Sequence, residues 1–327
     1  MVTSIEKSIN HFVDYFKEAF EMYKNIDVED IKNKFSSNKE IIICGMGGSG
    51  IAGMIVERLF EDKNIIGMTT DEIPSKYKDA NFILVSYSGN THEVLNAFDK
   101  YKNNVVCAIT TGGKLKEKCE NNGIKAFELP SGFIPRSTLP HMIVLLSYIL
   151  NRLGVISESD IEKIREAINE LEVVKDMLLN NAKEIAKNIN HDDILVFLTS
   201  YTLYPAAYRT KTQINETCKM HSYAEFFSEH NHNSIMAIKQ HVKNVFYVIY
   251  KDPFDNQLKK RFEFFINKLR GFRYRYVDIE IEAKSREMAM LSYILYGDYL
   301  SVEIAKRFNI DMETGDIIKE LKEFLNG

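Results

Sequence analysis

Short apolar, strand-like runs alternate with helix-like stretches through the first half of the chain. The runs lie near residues 40–45, 64–68, 81–86, 104–110 and 124–129. Helical spacing of apolar positions marks Ile51–Phe60 and Thr91–Tyr101, and an amphipathic helix from about Ser4 to Tyr23 precedes the first strand. This rhythm predicts a doubly wound parallel sheet. Pro130, Pro135 and Pro140 bring half of the six prolines into one short stretch and mark a rigid, irregular connection. A helix over His141–Leu153 then closes a first domain.

The second half repeats the layout. Gly154 to Ser159 reads as a linker, and a long helical pattern, Asp160–Asn188, follows it. Strands are expected at Ile194–Thr199, Val245–Tyr250 and Tyr274–Ile279, with a helical run at Tyr204–Lys219 and two helices near 284–308 and 313–325. The predicted class is α/β: two doubly wound, parallel-sheet αβα sandwiches over 1–154 and 155–327. A length of 327 residues suits two such domains of about 150 each.

Composition narrows the setting. An apolar fraction of 45% with 27% charged residues is that of a soluble globular protein. The net charge of −4 supplies no field for nucleic acid, and Lys259-Lys260-Arg261 reads as a solvated helix face. Cys44, Cys107, Cys119 and Cys218 show no paired spacing; Cys44 and Cys107 sit in strand-like runs as small hydrophobes, which fits a reducing cytoplasm. Met1–Lys7 lacks the apolar core of a signal peptide. The most apolar stretch, Met142–Leu150, is far shorter than the roughly 20 residues that cross a bilayer. No membrane and no nucleic-acid partner is expected.

The candidate chemistry starts in two loops. Gly45-Met46-Gly47-Gly48-Ser49-Gly50 and Ser86-Tyr87-Ser88-Gly89-Asn90-Thr91 each follow a strand-like run and open onto a helix-like one. Glycines let backbone N–H groups close on an anion at a positive helix N-terminus. Ser86, Ser88 and Thr91 add short hydroxyl donors, so the pair describes a pocket for a phosphomonoester. The first loop also fits a dinucleotide fingerprint, and Asp71 and Glu72 lie near the position its ribose contact needs. The second hydroxyl-rich loop, which a dinucleotide does not need, counts against that alternative. No Gly-Lys-Ser/Thr follows, so a Walker A loop is excluded. The second half lacks such loops, which implies one phosphate site per chain.

Further along come Pro130-Ser131-Gly132-Phe133-Ile134-Pro135-Arg136-Ser137, Gln213-Ile214-Asn215-Glu216, Asn231-His232-Asn233 and Glu320-Leu321-Lys322. With the two loops, and in this order, the set resembles the bifunctional phosphoglucose/phosphomannose isomerases, whose sugar isomerase (SIS) domains bind phosphosugars. The resemblance implies aldose-ketose isomerisation of a hexose 6-phosphate without a cofactor. Gly48, Ser49, Ser86, Ser88 and Thr91 would hold the phosphate. Glu216 would be the carbon base, His232 the acid at the ring oxygen with Lys322 assisting, and Arg136 the cation over the enediolate. It further implies a homodimer in which His232 reaches the neighbouring chain's site.

Each assignment has a plainer alternative. An arginine in a loop, a glutamate late in a helix and a lysine in a Lys/Glu-rich helix are usually solvated. Only the family pattern separates Lys322 from Lys319 and Lys306. The family's Asp-Pro-Thr-Pro turn is here Asp311-Met312-Glu313-Thr314. Half of the eight histidines fall between His221 and His241, but without a convincing helical ligand pair, so no metal is expected; His221, His230 and His241 read as surface or supporting residues. A phosphosugar-binding SIS module without chemistry and an amino-sugar phosphate isomerase are the alternative functions.

Overall fold

A computed structural model describes residues 3–240 and 242–326, the side chains of Lys322, Leu325 and Asn326 excepted. The chain divides into two compact units. One comprises His11–Val173 with Lys284–Met290; the other comprises Met1–Asn10, Val174–Ala283 and Leu291–Gly327.

In the first of these, five parallel strands stand in the order β2-β1-β3-β4-β5: β1 (Ile41–Gly45), β2 (Ile65–Met68), β3 (Asn81–Val85), β4 (Val105–Thr110) and β5 (Lys125–Glu128). All five agree with the apolar runs. The inner strands β1, β3 and β4 are buried at every position, as parallel strands covered on both faces must be. Helices α1 (Ser4–Asn10), α2 (Phe12–Tyr23) and α3 (Glu29–Lys32) precede β1, and α4 (Gly47–Leu59), α5 (His92–Tyr101), α6 (Gly113–Asn121) and α7 (Leu139–Arg152) follow in turn. Val94, Ala97 and Phe98 of α5 and Leu115 of α6 pack with Ile42, Phe82 and Leu84 on one side of the sheet.

The single helix expected over Ser4–Tyr23 is two. His11, at φ −94 and ψ 12, leaves helical geometry between them. The apolar residues explain the break: α1 buries Ile5 and Ile9 in one unit, whereas α2 buries Phe12, Phe16 and Phe20 in the other. The long helix α8 (Glu158–Ala186) starts earlier than expected, so the connection is shorter than Gly154–Ser159. A reciprocal cap accounts for this: Ser157 N–H donates to Asp160 Oδ2 at 3.0 Å, and Asp160 N–H donates to Ser157 Oγ at 3.3 Å.

The other unit holds four parallel strands in the order β7-β6-β8-β9, namely β6 (Ile194–Thr199), β7 (Ser222–Phe226), β8 (Val245–Lys251) and β9 (Arg275–Glu280). Its helices are α9 (Tyr204–Cys218), α10 (Phe227–His230), α11 (Lys259–Gly271), α12 (Arg286–Arg307, begun in the first unit) and α13 (Asp316–Asn326). Strand β7 was not expected. It is an edge strand of five residues in which Tyr223 is exposed and Ala224, Glu225 and Phe226 are only partly covered, so its apolar signal is weak. Inside the unit, Arg209 of α9 and Asp298 of α12 form a buried two-pronged pair, with both Nε and Nη2 at 3.0 Å from the carboxylate. Among the described residues no helix is long and apolar enough to cross a membrane.

Candidate active site

In a doubly wound sheet, ligands bind beyond the carboxyl ends of the strands where the order reverses. In the five-stranded sheet that point lies between β1 and β3, which run in register from Ile41↔Asn81 to Gly45↔Val85. The glycine loop leaves β1 there and the hydroxyl loop leaves β3. Space is tight: a Cβ on Gly50 would stand 2.4 Å from Gly45 O, and one on Gly45 would stand 2.8 Å from Val85 O. Ser49 and Gly50 donate their N–H groups to Met46 O, while Gly47 and Gly48 supply first-turn donors of α4, which have no carbonyl one turn back. Ser49 is buried and Gly48 partly covered.

The second loop is braced from within. Gly89 takes φ +65, and a Cβ there would lie 1.8 Å from Gly112 O, so no other residue fits. Ser86 Oγ accepts Gly89 N–H at 3.1 Å and shares a hydrogen bond with Thr91 Oγ1 at 2.9 Å. One proton of that hydroxyl pair is taken up between the two oxygens, which leaves a single O–H for an anion. Ser88 is exposed, and its Oγ accepts Asn90 N–H at 3.2 Å.

Arg136 joins this group. It lies in the short turn Pro135–Thr138, and a Cβ on Gly48 would sit 3.5 Å from Arg136 Cα. The link between its segment and the hydroxyl loop is Tyr87, which the sequence reading passed over. The phenol accepts Phe133 N–H at 2.9 Å and donates to Pro130 O at 3.3 Å, while Tyr87 O accepts Thr111 N–H at 3.0 Å and the Thr111 hydroxyl at 2.7 Å. The partners of the phenol are backbone atoms more than forty residues away in sequence. No local pattern announces them.

Under the same segment lies His141, fully buried near the start of α7. Its ring packs on Phe133 at 5.4 Å and Tyr15 at 5.9 Å, and neither ring nitrogen has a partner among the described residues. Burial lowers its pKa to about 4, so the ring is neutral at physiological pH.

The remaining candidates lie in the other unit. Glu216 is exposed in the last turn of α9. Lys219, left-handed at φ 56, caps that helix: its ammonium donates to Glu216 O and, at 2.8 Å, to Thr314 O. The Asp311–Thr314 turn is thereby tied to the Glu216 helix and also to α1, since Glu313 Oε1 accepts Ser4 N–H at 2.6 Å. The helix bearing Lys322 follows, but the Lys322 side chain and His241 lie outside the described residues. His232 is exposed in a turn after α10, with its N–H on Glu229 O at 3.0 Å. His230, by contrast, is buried, its ring edge-on to Phe265 at 4.7 Å. Among the described residues no three His, Cys, Asp or Glu side chains are gathered as metal ligands.

The second sheet also reverses, between β6 and β8, but side chains occupy that crevice. Ser200 Oγ donates to Asp252 Oδ2 at 2.6 Å, Phe254 N–H donates to Oδ1 at 2.9 Å, and both side chains are buried. A carboxylate there disfavours an anion. Two sheets of like topology thus carry one set of open glycine and hydroxyl loops.

Comparison with known proteins now places the chain. Residues 178–325 match the model of the bacterial phospho-glucose isomerase C-terminal SIS domain. A bifunctional phosphoglucose/phosphomannose isomerase of Thermoplasma volcanium is 34% identical over 89% of this chain and 92% of its own. The chain belongs to this family. A more distant relative is D-glucosamine-6-phosphate 4-epimerase of Sulfolobus acidocaldarius, 27% identical over 73% of this chain and 75% of its own. Among solved structures, tagatose-6-phosphate ketose/aldose isomerase of Escherichia coli superposes with a TM-score of 0.73 at 16% identity, covering 96% of each chain. That likeness confirms the SIS-type α/β fold.

Proposed function

We propose that the protein interconverts glucose 6-phosphate, and mannose 6-phosphate, with fructose 6-phosphate through a cis-enediol(ate), without a metal. The observation that carries this reading is the meeting of the glycine loop, the hydroxyl loop and the Arg136 turn at one strand-order reversal, in a chain of this family. The first half, 1–154, binds phosphate through Gly48, Ser49, Ser86, Ser88 and Thr91. The second half, 155–327, supplies Glu216, His232 and Lys322.

The chemistry needs an opened ring, a proton moved between C1 and C2, and a stabilised oxyanion. His232 donates to the ring oxygen, helped by Lys322. Glu216 carries the proton. Arg136 neutralises the enediolate and shields it from water. Glucose and mannose 6-phosphates differ only at C2 and give one enediol once that proton leaves, so a single base serves both. Each working site takes its His232 from the second chain of a homodimer.

The direct test is fructose 6-phosphate formation from each aldose; binding of hexose phosphate with no turnover would leave a sensor instead. Activity is expected to survive exhaustive EDTA treatment, and loss restored by zinc would overturn the metal-free mechanism. The 4-epimerase relative supports a second reading, an isomerase or epimerase of amino-sugar phosphates, which product analysis with glucosamine 6-phosphate separates.

A further inference from the structure

Two side-chain contacts flank the turn that carries His232, before the chain packs again through Ile235 and Ile238, and neither involves the His232 side chain. The chain leaves edge strand β7 at Phe226, forms α10, and turns through Asn231–Ser234. At one point the buried His230 ring lies against Phe265 and Phe227, with no partner on either nitrogen among the described residues. That packing on Phe265 and Phe227 fixes where the turn begins. At the second point Ser234 Oγ lies 3.0 Å from Glu225 Oε1 and 2.9 Å from Asn233 Oδ1, and its single proton favours the charged carboxylate over the amide oxygen. Glu225 itself is anchored, since it pairs in register with buried Leu198 on β6.

His232 lies midway, two residues beyond His230 and two before Ser234. Asn233 stiffens the span by donating from Nδ2 to Glu229 and accepting Ser234 N–H at Oδ1. A rigid turn pivoting on His230 and tied at Ser234 has one orientation. Without the Ser234 tie the span loses its side-chain bond to β7, and packing at His230 and Ile235 leaves His232 between them less closely held. Misplacing a reacting group by about 1 Å can cost roughly a hundredfold in rate.

We propose that Glu225, acting through Ser234, is the positioning residue that sets the reach of the His232 ring. The inference rests on the reading of His232 as the acid at the ring oxygen. A carboxylate suits the task because a charged acceptor holds a hydroxyl more strongly than a neutral one. An amide oxygen at the same place keeps a weaker version of the tie.

The test is steady-state kinetics on glucose 6-phosphate. Ser234→Ala and Glu225→Ala should each lower kcat by about tenfold or more with KM within about twofold, because the phosphate loops are untouched. Glu225→Gln should fall between Glu225→Ala and the parent protein. Placed on a His232→Ala background, Ser234→Ala should have no further effect. Unchanged kcat in Ser234→Ala and Glu225→Ala overturns the proposal, as does a loss that persists on the His232→Ala background or one that tracks a lowered Tm. A His232→Ala chain of full activity sinks the reading of His232 itself, and the proposal with it.

Discussion

Ser86 and Thr91 share one hydrogen bond, and Ser86 Oγ also accepts Gly89 N–H, so the pair leaves a single O–H for a ligand. The sequence shows three hydroxyls in this loop, and the fold shows that two of them are engaged with each other. Ser88 is exposed and Ser49 lines the neighbouring loop, so losing both is expected to raise KM for glucose 6-phosphate while kcat changes little. Anchoring contacts act in ground and transition states alike. A KM within twofold of the parent value would place the phosphate elsewhere. Glu216→Gln keeps shape and removes the proposed base. Glucose and mannose reactions should then fall together by about 10²–10⁴; loss of only one would mean two bases. Glycines and hydroxyls were legible because their chemistry is local. Tyr87 was not, because its role is fixed by backbone atoms of Pro130 and Phe133.

At the scale of elements, strands buried on both faces announce themselves, as β1, β3 and β4 did, whereas β7 did not. Its five residues become a strand because Lys219 turns left-handed after α9 and Asn215 Nδ2 holds Met220 O at 2.9 Å, laying the next residues beside β6. Neither contact has a sequence signature. The prolines of the segment from Pro130 to Arg136 mark it in the sequence as a rigid, irregular connection, but not its bonds to Tyr87 or its seat on His141. His141 titrates with a depressed folded pKa of about 4 against about 6.5 unfolded. The unfolded chain therefore binds the extra proton between those values, and this contribution to stability is full above about pH 6.5 and lost as pH falls toward 4. Thermal melts of His141→Phe should show a shallower loss of Tm over that window. An unchanged pH slope would mean that the ring is not neutral and buried in the folded protein.

At the scale of the molecule, two sheets wound in the same order differ at equivalent crevices. One keeps open glycine and hydroxyl loops, and the other is filled by Ser200 and Asp252. The strand rhythm made the doubling readable; the plug was not, since a serine and an aspartate after two strands are unremarkable until they meet. The proposed sharing of sites between two chains makes a further prediction. Glu216→Gln chains mixed with His232→Ala chains should regain activity, approaching about a quarter of the parent value under random exchange in a two-fold dimer. Exchanged chains that stay inactive would keep His232 within its own subunit's chemistry or outside it. The clasp between Tyr87 and Phe133 also has an optical consequence, because the chain contains no tryptophan. Phe133→Trp would install a lone indole on the segment that bears Arg136, so its emission would report ligand arrival in a variant that cannot turn over, separating occupancy from chemistry by light alone.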